Sequence, residues 1–193
     1  MPNLEPKACA LLIVDVQKAI DAPYWAALGP RNNPDAEAAM AAVLAAWRGA
    51  GLPVFHVRHD SRSAESSYRP GQPGHAFKDE VAPLEGETVI GKSANSVFIG
   101  TNLERTVRAQ GIRQLCVMGV ITNNSVEATV RMAGDLGFET YLMEDCCFTF
   151  AKADFRGVLR SAEEVHALSL ANLDGEYCTV VTSPVILAGI AAA

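Results

Sequence analysis

Short apolar runs alternate with stretches of helical periodicity along the whole chain, and this alternation predicts the fold. Strand-like runs separated by amphipathic helical segments are typical of a mostly parallel sheet with helices on both faces. The predicted strands cover residues 8–16, 53–58, 87–91, 114–120, 138–143 and 177–182. The predicted helices cover residues 34–51, 102–110, a segment starting near residue 125, and 161–173. We expect one domain over residues 1–193, a three-layer α/β/α arrangement of six strands in the order 3-2-1-4-5-6.

The fourth strand and the turn after it form the most informative stretch. Residues 115–120 are continuously apolar, as in a central parallel strand covered on both faces. Asn124 is the predicted N-cap of the next helix, with Glu127 reaching back in a capping box. Ser125 then lies in the first turn, where free backbone N–H groups and the helix dipole stabilise an anionic nucleophile or an oxyanion. The face predicted to pack on the sheet comprises Val126, Thr129, Val130 and Ala133.

Three polar residues come at or just after the carboxyl ends of predicted strands. They are Asp15, Lys92 and Ser125. In doubly wound sheets ligands bind beyond these ends, where the strand order reverses, here between strands one and four. We therefore expect Asp15 and Ser125 to lie together, with Lys92 reaching them on its long side chain. Taken singly, each has an ordinary alternative: a helix-start serine, a turn aspartate and a solvated lysine.

The turn Gly119-Val-Ile-Thr-Asn-Asn-Ser-Val-Glu-Ala-Thr-Val-Arg131 resembles the signature of the isochorismatase-like hydrolase superfamily. That superfamily includes cysteine hydrolases such as nicotinamidases, N-carbamoylsarcosine amidase and ureidoacrylate hydrolases. The resemblance implies an Asp-Lys-Cys triad, which carries over to Asp15, Lys92 and position 125. It also implies an oxyanion hole from the N–H groups of Ile121 and Ser125, with a cis peptide between Val120 and Ile121. Further matching segments are Arg31-Asn-Asn-Pro34, His56-Val-Arg-His-Asp60, Gly91-Lys92, Phe98, Gly100-Thr101 and Leu170-Ala-Asn-Leu173.

The family has cysteine where this chain has Ser125. In the implied mechanism Asp15 takes the thiol proton, passes it to the departing amine and then activates water, while Lys92 lowers the pKa of the nucleophile. A hydroxyl is far less acidic than a thiol, so we expect the covalent step to be slower by orders of magnitude. Either the chain carries an engineered Cys→Ser replacement that holds substrate without turnover, or serine is native and the enzyme is slow or altered. We favour the first explanation.

The predicted function is therefore hydrolysis of a C–N bond in a small amide, ureide or lactam. One alternative is hydrolysis of a vinyl ether, as in true isochorismatases, with Asp15 as general acid; the nucleophile position is typically glycine in those relatives. Another is a catalytically inactive protein that binds a small molecule. The resemblance also implies a homo-oligomer, a homodimer or homotetramer.

Candidate substrate contacts come from the loops around the predicted site. Tyr24 and Trp25 follow Asp15 in a loop, where aromatic rings could wall a planar substrate or instead pack on the loop or a neighbouring subunit. Weaker candidates are Gln17, His75 and Phe98.

We expect no metal and no cofactor. His56 and His59 are three residues apart on a strand and face opposite sides, so they cannot chelate together. The nicotinamidase branch carries an Asp-x-His metal site that this chain lacks. His166 is predicted to lie on an amphipathic helix, at the surface or in an interface, and Arg58 to form a structural ion pair.

Composition excludes several other classes. The net charge of −6 and the sequence pI near 5.2 argue against a nucleic-acid partner. No leader pattern or membrane-length apolar stretch is apparent, so we expect a cytoplasmic protein without a membrane partner. The five cysteines are predicted to be small buried hydrophobes, and Cys146 and Cys147 to be inert rather than a displaced nucleophile.

Overall fold

The computed structural model describes residues 4–192 as one central sheet covered by helices. The strands are β1 Cys9–Val14, β2 Val54–His59, β3 Thr88–Lys92, β4 Gln114–Val120, β5 Glu139–Phe148, β6 Lys152–Ala153, β7 Leu159–Arg160 and β8 Thr179–Val181. The helices are α1 Pro23–Ala26, α2 Ala36–Gly49, α3 Leu103–Ala109, α4 Glu127–Asp135, α5 Ala162–Ala171 and α6 Ser183–Ala191. Six parallel strands form the order β3-β2-β1-β4-β5-β8. The predicted three-layer fold and strand order are confirmed, with β8 as the sixth strand.

The central strands serve two cores at once. All six residues of β1 are buried, because successive side chains point to opposite faces of the sheet and both faces are covered. One face carries Cys9, Leu11 and Ile13, and the other carries Ala10, Leu12 and Val14. Residues of α2 and α6 close the first core, and residues of α3 and α4 close the second. The predicted sheet-packing face of α4 and the turn before it is buried, as expected.

The fifth strand runs further than the sequence predicts. Its pairing with β4 shifts register between Val117 and Gly119, whose partners in β5 are Leu142 and Cys147. The extra residues bulge from the ladder, and their carbonyls need other donors. The Asn33 side-chain amide supplies them, because it donates to the carbonyls of Glu144 and Cys147, each at 2.8 Å. The strand therefore continues to Phe148, and the prediction that it ends at residues 144–145 is wrong.

Short elements without periodicity were missed. Helix α1 and the β6–β7 hairpin lie in stretches that the sequence leaves irregular. Helix α6 occupies the alanine-rich tail, where Ile186 is fully buried in the core that α2 also closes. In contrast, the predicted helix that starts at residue 161 is present as α5 and begins with a capping box, in which Ser161 and Glu164 bond to each other's backbone N–H groups.

The five cysteines are free and buried, as predicted. Burial raises the pKa of the Cys146 thiol to about 12 and that of Cys147 well above its ordinary value, so both stay protonated near neutral pH. Neither is a reactive thiolate. Among residues 4–192, no helix is long and apolar enough to cross a membrane.

Gly119 allows β1 and β4 to approach closely just before both strands end. Its φ is 141°, which favours glycine, and a Cβ at this position would lie 2.2 Å from the carbonyl oxygen of Val14. Val14 and Gly119 are register partners in the parallel pair. Asp15, which follows Val14, therefore leaves β1 beside Val120, the last residue of β4, and this contact positions the candidate site.

Gly119→Ala is expected to lower the free energy of unfolding by at least about 2 kcal/mol, because it combines backbone strain with a clash against backbone atoms. The measurement is chemical denaturation. The matched control is Gly49→Ala in α2, where an added Cβ meets nothing within 4 Å and helix propensity favours alanine. Equal stabilities for the two variants would contradict this account of Gly119.

Candidate active site

Asp15 leaves the end of β1 in an unusual backbone conformation. Its φ is 56°, a region that costs a non-glycine residue about 1–3 kcal/mol. Its N–H donates to the carbonyl of Val57 on β2 at 3.0 Å, so the neighbouring strand holds the bend in place. The residue is 3% exposed, and Oδ1 has no hydrogen-bond partner among the described residues. A buried carboxylate oxygen is thereby left available to a ligand.

Lys92 contacts both of the other residues that the sequence singled out, Asp15 and Ser125. Its side chain is completely buried, and Nζ donates to Asp15 Oδ2 at 2.6 Å and to Ser125 Oγ at 3.3 Å. A third bond, to the carbonyl of Ala94 at 3.1 Å, fixes the end of the side chain. Lys92 reaches across from β3, two strands away from β1 in the sheet. The structure thus brings Asp15, Lys92 and Ser125 together.

Ser125 lies in a turn that differs from the predicted helix start. Residues Thr122–Val126 form one π-helical turn, and α4 begins after it at Glu127. No side-chain cap is present. The Glu127 carboxylate accepts bonds from Ser169 and Arg131 instead, so it does not reach back to the turn. The predicted Asn124–Glu127 capping box is therefore wrong. The peptide bond between Val120 and Ile121, just before the turn, is cis, as the family resemblance implies.

Helix α5 also holds this turn in place. The Thr122 side chain is completely buried and its hydroxyl bonds to Nδ1 of His166 at 2.8 Å. The Ser169 hydroxyl, which donates to the Glu127 carboxylate, also lies 3.3 Å from the Thr122 carbonyl oxygen. Thr149, the residue after β5, donates its hydroxyl to the Asn123 side chain at 2.6 Å. His166 is only 6% exposed, so the surface alternative predicted for it is wrong, because its ring packs against the turn within this chain.

Burial sets the protonation of the site. It raises the pKa of the Asp15 carboxyl above its ordinary value, although the Lys92 ammonium and the Ser125 hydroxyl act in the opposite direction. Burial also lowers the pKa of the His59 imidazole, whose Nδ1 lies 3.4 Å from Lys92 Nζ. His59 is therefore mainly neutral near pH 7, and Lys92 is the cation beside position 125.

A small cavity of about 170 Å³, the inner cavity, opens at these residues. Its walls include Asp15, Ser125, Ile121 and Trp25, so the proposed nucleophile, the proposed base and both residues of the predicted oxyanion hole line the same space. A wider pocket beside it is lined by Trp25 and Tyr24. Both aromatic candidates thus lie at the site. Trp25 also stacks on Phe150 at 5.5 Å between ring centroids.

The three weaker substrate candidates lie elsewhere. Gln17 is completely buried, and its side chain bonds to the backbone of His59 and His75. The His75 ring bonds to Asp60 at 2.6 Å. Phe98 stacks on Phe138. None of the three lines the inner cavity or the wider pocket among the described residues. The predicted ion pair of Arg58 is present, with Asp60 at 3.0 Å.

Sequence reasoning missed part of the inner wall. It considered His59 only as a metal ligand, yet this residue ends β2 and is the register partner of Lys92, so the strand-end rule could have found it. Ser66, Tyr68 and Asn95 also line the cavity. They come from irregular segments, which carry no periodic signal. Over residues 4–192 no cluster of three or more histidine, cysteine or acidic side chains has the geometry to hold a metal ion.

The arrangement combines a hydroxyl at the start of a helix, a buried cation and a carboxyl group that can exchange a proton. Such a set is suited to nucleophilic attack on a carbonyl group, followed by proton transfer to the leaving group.

This chain is similar to known proteins in sequence and in fold. The family model of the isochorismatase domain matches residues 9–184. The uncharacterized isochorismatase family protein YrdC of Bacillus subtilis (strain 168) is 40% identical over 174 residues, which are 90% of this chain and 91% of the relative. The ureidoacrylate amidohydrolase RutB of Agrobacterium fabrum is 37% identical over a shorter region of 71 residues, 37% of this chain and 31% of the relative.

The fold has a close counterpart among solved structures. A crystal structure described as a hydrolase of the isochorismatase family, from Chromobacterium violaceum, superposes with a TM-score of 0.94. It is 58% identical, and the match covers 100% of both chains.

Lys92→Met is expected to lower the free energy of unfolding by about 3–5 kcal/mol at pH 8, because it leaves the Asp15 carboxylate buried without a cation. Loss of the ammonium raises the Asp15 pKa further, so the folded state binds this proton more tightly than the unfolded chain does. Relative to the unchanged protein, the deficit should therefore shrink as the pH falls through the raised pKa. Urea denaturation at several pH values measures both effects.

The control is Lys18→Met, which removes an exposed ion pair with Asp79 that is 2.8 Å long. Exposed pairs contribute less than about 1 kcal/mol, and no pH-dependent deficit of this kind is expected. A Lys92→Met deficit that matches the control, or that is constant with pH, would rule out a charged Lys92–Asp15 pair as described.

Proposed function

The chain belongs to the isochorismatase family of hydrolases, and we propose that it acts on a C–N bond of a small amide, ureide or lactam through Asp15, Lys92 and position 125. The observation that carries the proposal is the buried contact of the Lys92 ammonium with both the Asp15 carboxyl and the Ser125 hydroxyl. The amidohydrolase named among the relatives supports a C–N bond as the target.

The first half of the reaction forms an acyl-enzyme. The nucleophile at position 125 attacks the carbonyl carbon while Asp15 takes its proton. Negative charge on the carbonyl oxygen is stabilised by the N–H groups of Ile121 and Ser125, at the start of the helical segment. The C–N bond then breaks, and the departing nitrogen takes the proton from Asp15. The products of this half are the free amine and an acyl group on residue 125.

The second half releases the acid. Asp15, now ionised, accepts a proton from a water molecule as that water attacks the acyl carbon. The bond to residue 125 breaks, and its oxygen or sulfur recovers the proton from Asp15. Lys92 stays protonated throughout and stabilises the negative forms of Asp15 and of the nucleophile in turn. The net reaction consumes one water and leaves the protein unchanged.

Ser125 makes the first half slow. A thiol at a helix start beside a lysine is partly ionised near neutral pH, whereas a hydroxyl in the same place is not. Asp15 is a weak base for a hydroxyl, even with a pKa raised by burial. We propose that the chain binds its substrate and turns it over at a small fraction of the rate of a cysteine form.

A second candidate function rests on the protonation of Asp15. Burial raises its pKa, which favours the protonated form that a general acid needs. A protonated Asp15 would deliver a proton to the carbon of a vinyl ether, and water would complete its cleavage. Position 125 has no covalent role in that reaction, so exchanging serine for cysteine should leave its rate nearly unchanged.

Ser125→Cys is expected to raise hydrolysis of at least one compound in a panel of small amides, ureides and lactams by three or more orders of magnitude. The reason is the greater acidity of the thiol at a site built around a cation. Amine release measures the rate, and intact mass measures an acyl group on residue 125. Isochorismate is included in the panel, with pyruvate release as its readout.

The control is Ser169→Cys, which places a thiol in α5 at a residue that does not line the inner cavity and should give no gain. Failure of both the unchanged chain and Ser125→Cys to hydrolyse any compound of the panel would contradict the covalent mechanism. Pyruvate release at the same rate from both would establish the vinyl-ether function, and small-molecule binding without any turnover would indicate an inactive binding protein.

A further inference from the structure

A second pocket adjoins the inner cavity and begins next to the nucleophile. This outer pocket has a volume of about 620 Å³ and shares Trp25, Ile121 and Asn124 with the inner cavity. Asn124 is the neighbour of Ser125, and Ile121 belongs to the predicted oxyanion hole. A molecule whose carbonyl group is bound at Ser125 therefore has the outer pocket as its adjoining space.

The two spaces differ in size. Pockets that enclose small-molecule ligands measure about 300–1,000 Å³. The inner cavity, at about 170 Å³, lies below this range and the outer pocket lies inside it. The inner cavity fits a compact group such as the amide itself. A substrate that uses both spaces must carry a second, bulkier part.

The walls of the outer pocket indicate the chemistry of that part. Tyr24 and Leu159 are 70% and 71% exposed, although each is large and partly or wholly apolar. Phe150, against which Trp25 stacks, forms part of the same wall. Covering apolar surface that is open to water is favourable in free energy, and aromatic rings pack well against flat groups. An apolar group of at least aromatic-ring size would cover these side chains.

Hydrogen bonds and strand pairing hold the walls of the outer pocket in place. Phe150 follows Thr149, whose N–H donates to the Asn32 side chain at 2.8 Å and whose hydroxyl donates to Asn123 in the nucleophile turn. The opposite wall, Leu159, lies on β7, which pairs with β6. The pocket is thus tied to the same turn that carries Ser125.

Charge further restricts the ligand. Among the described residues that line the outer pocket, Lys152 is the one with a charged side chain, and it has no ion pair with another described residue. A cation at the rim attracts an anionic group and repels a cationic one, with a strength that falls as salt is added. The pocket is therefore suited to neutral or anionic groups.

We propose that the substrate is a small amide or ureide whose carbonyl group occupies the inner cavity and whose larger part, an apolar and neutral or anionic group of at least aromatic-ring size, fills the outer pocket. The reacting amide rests on the proposed function. The two-part shape rests on the cavities alone.

Binding of small amides to the unchanged protein, with Ser125 in place, tests the proposal and needs no turnover. Trp25 lines both spaces, whereas the second tryptophan of the chain, Trp47, is fully buried in α2, so a change in tryptophan fluorescence reports on the site. The probes are propanamide, 3-phenylpropanamide and the para-carboxylate and para-aminomethyl derivatives of the latter. Calorimetry supplies the dissociation constants. We expect 3-phenylpropanamide to bind at least tenfold more tightly than propanamide.

The charged probes test Lys152. At low salt the carboxylate should bind several-fold more tightly than the aminomethyl derivative, and Lys152→Met should remove most of this difference. Equal affinities of the two derivatives for the unchanged chain would overturn the charge preference.

Two exposed leucines provide a matched pair of variants. Leu159→Ser removes apolar surface from the outer pocket, whereas Leu168→Ser removes it from α5, outside that pocket. We expect Leu159→Ser to weaken 3-phenylpropanamide binding about fivefold or more, with propanamide unchanged, and Leu168→Ser to change neither. Equal binding of propanamide and 3-phenylpropanamide, or equal losses in the two variants, would overturn the proposal.

Hydrolysis by Ser125→Cys separates this inference from the proposed function. If that variant hydrolyses amides but shows no preference for the phenyl compounds, the two-part substrate is wrong and the amidase function stands. If the phenyl compounds bind as expected but no amide is hydrolysed, the pocket assignment stands and the proposed reaction is wrong.

Discussion

The buried contact between Lys92 and Asp15 is the interaction on which the site depends. Taking a lysine and a carboxyl group out of water costs several kcal/mol for each charged group, and only a close partner offsets that cost. Here the partners lie 2.6 Å apart, and the ammonium also contacts Ser125. Because the same cation serves both groups, the protonation of Asp15 and the acidity of position 125 are coupled. A substitution at either position therefore changes the proton affinity of the group at the other.

A few features of the backbone bring these groups together at the edge of the sheet. Gly119 lets β1 and β4 end side by side, and the positive φ of Asp15 turns its side chain out of the strand direction. The bulge in β5, secured by Asn33, lets that strand continue beyond the register shift to Phe148, and Thr149 follows directly. Thr149 and His166 then bond to the nucleophile turn. The reactive residues are thus held by the rigid part of the molecule rather than by its loops.

Much of this arrangement could be predicted from the sequence, since strand order and strand ends follow from apolar periodicity and from the topology of parallel sheets. Asp15, Lys92 and Ser125 were found by that rule. The capping box at Glu127 was wrongly predicted, because other partners compete for this carboxylate: Arg131 one helical turn away and Ser169 on α5. Of the outer pocket only Tyr24 and Trp25 were predicted as substrate contacts, for another reason. Its walls include a four-residue helix and a hairpin of two-residue strands, which leave no periodic signal.

The central claim is that the Lys92 cation activates a nucleophile at position 125, and the pH dependence of thiol alkylation in Ser125→Cys tests it most directly. Iodoacetamide labelling is followed by peptide mapping, with the five buried cysteines as internal references. The account predicts that the new thiol titrates well below the ordinary cysteine value of about 8.5, and that adding Lys92→Met moves its pKa back up. A thiol that titrates near 8.5 whether or not Lys92 is present would contradict the account.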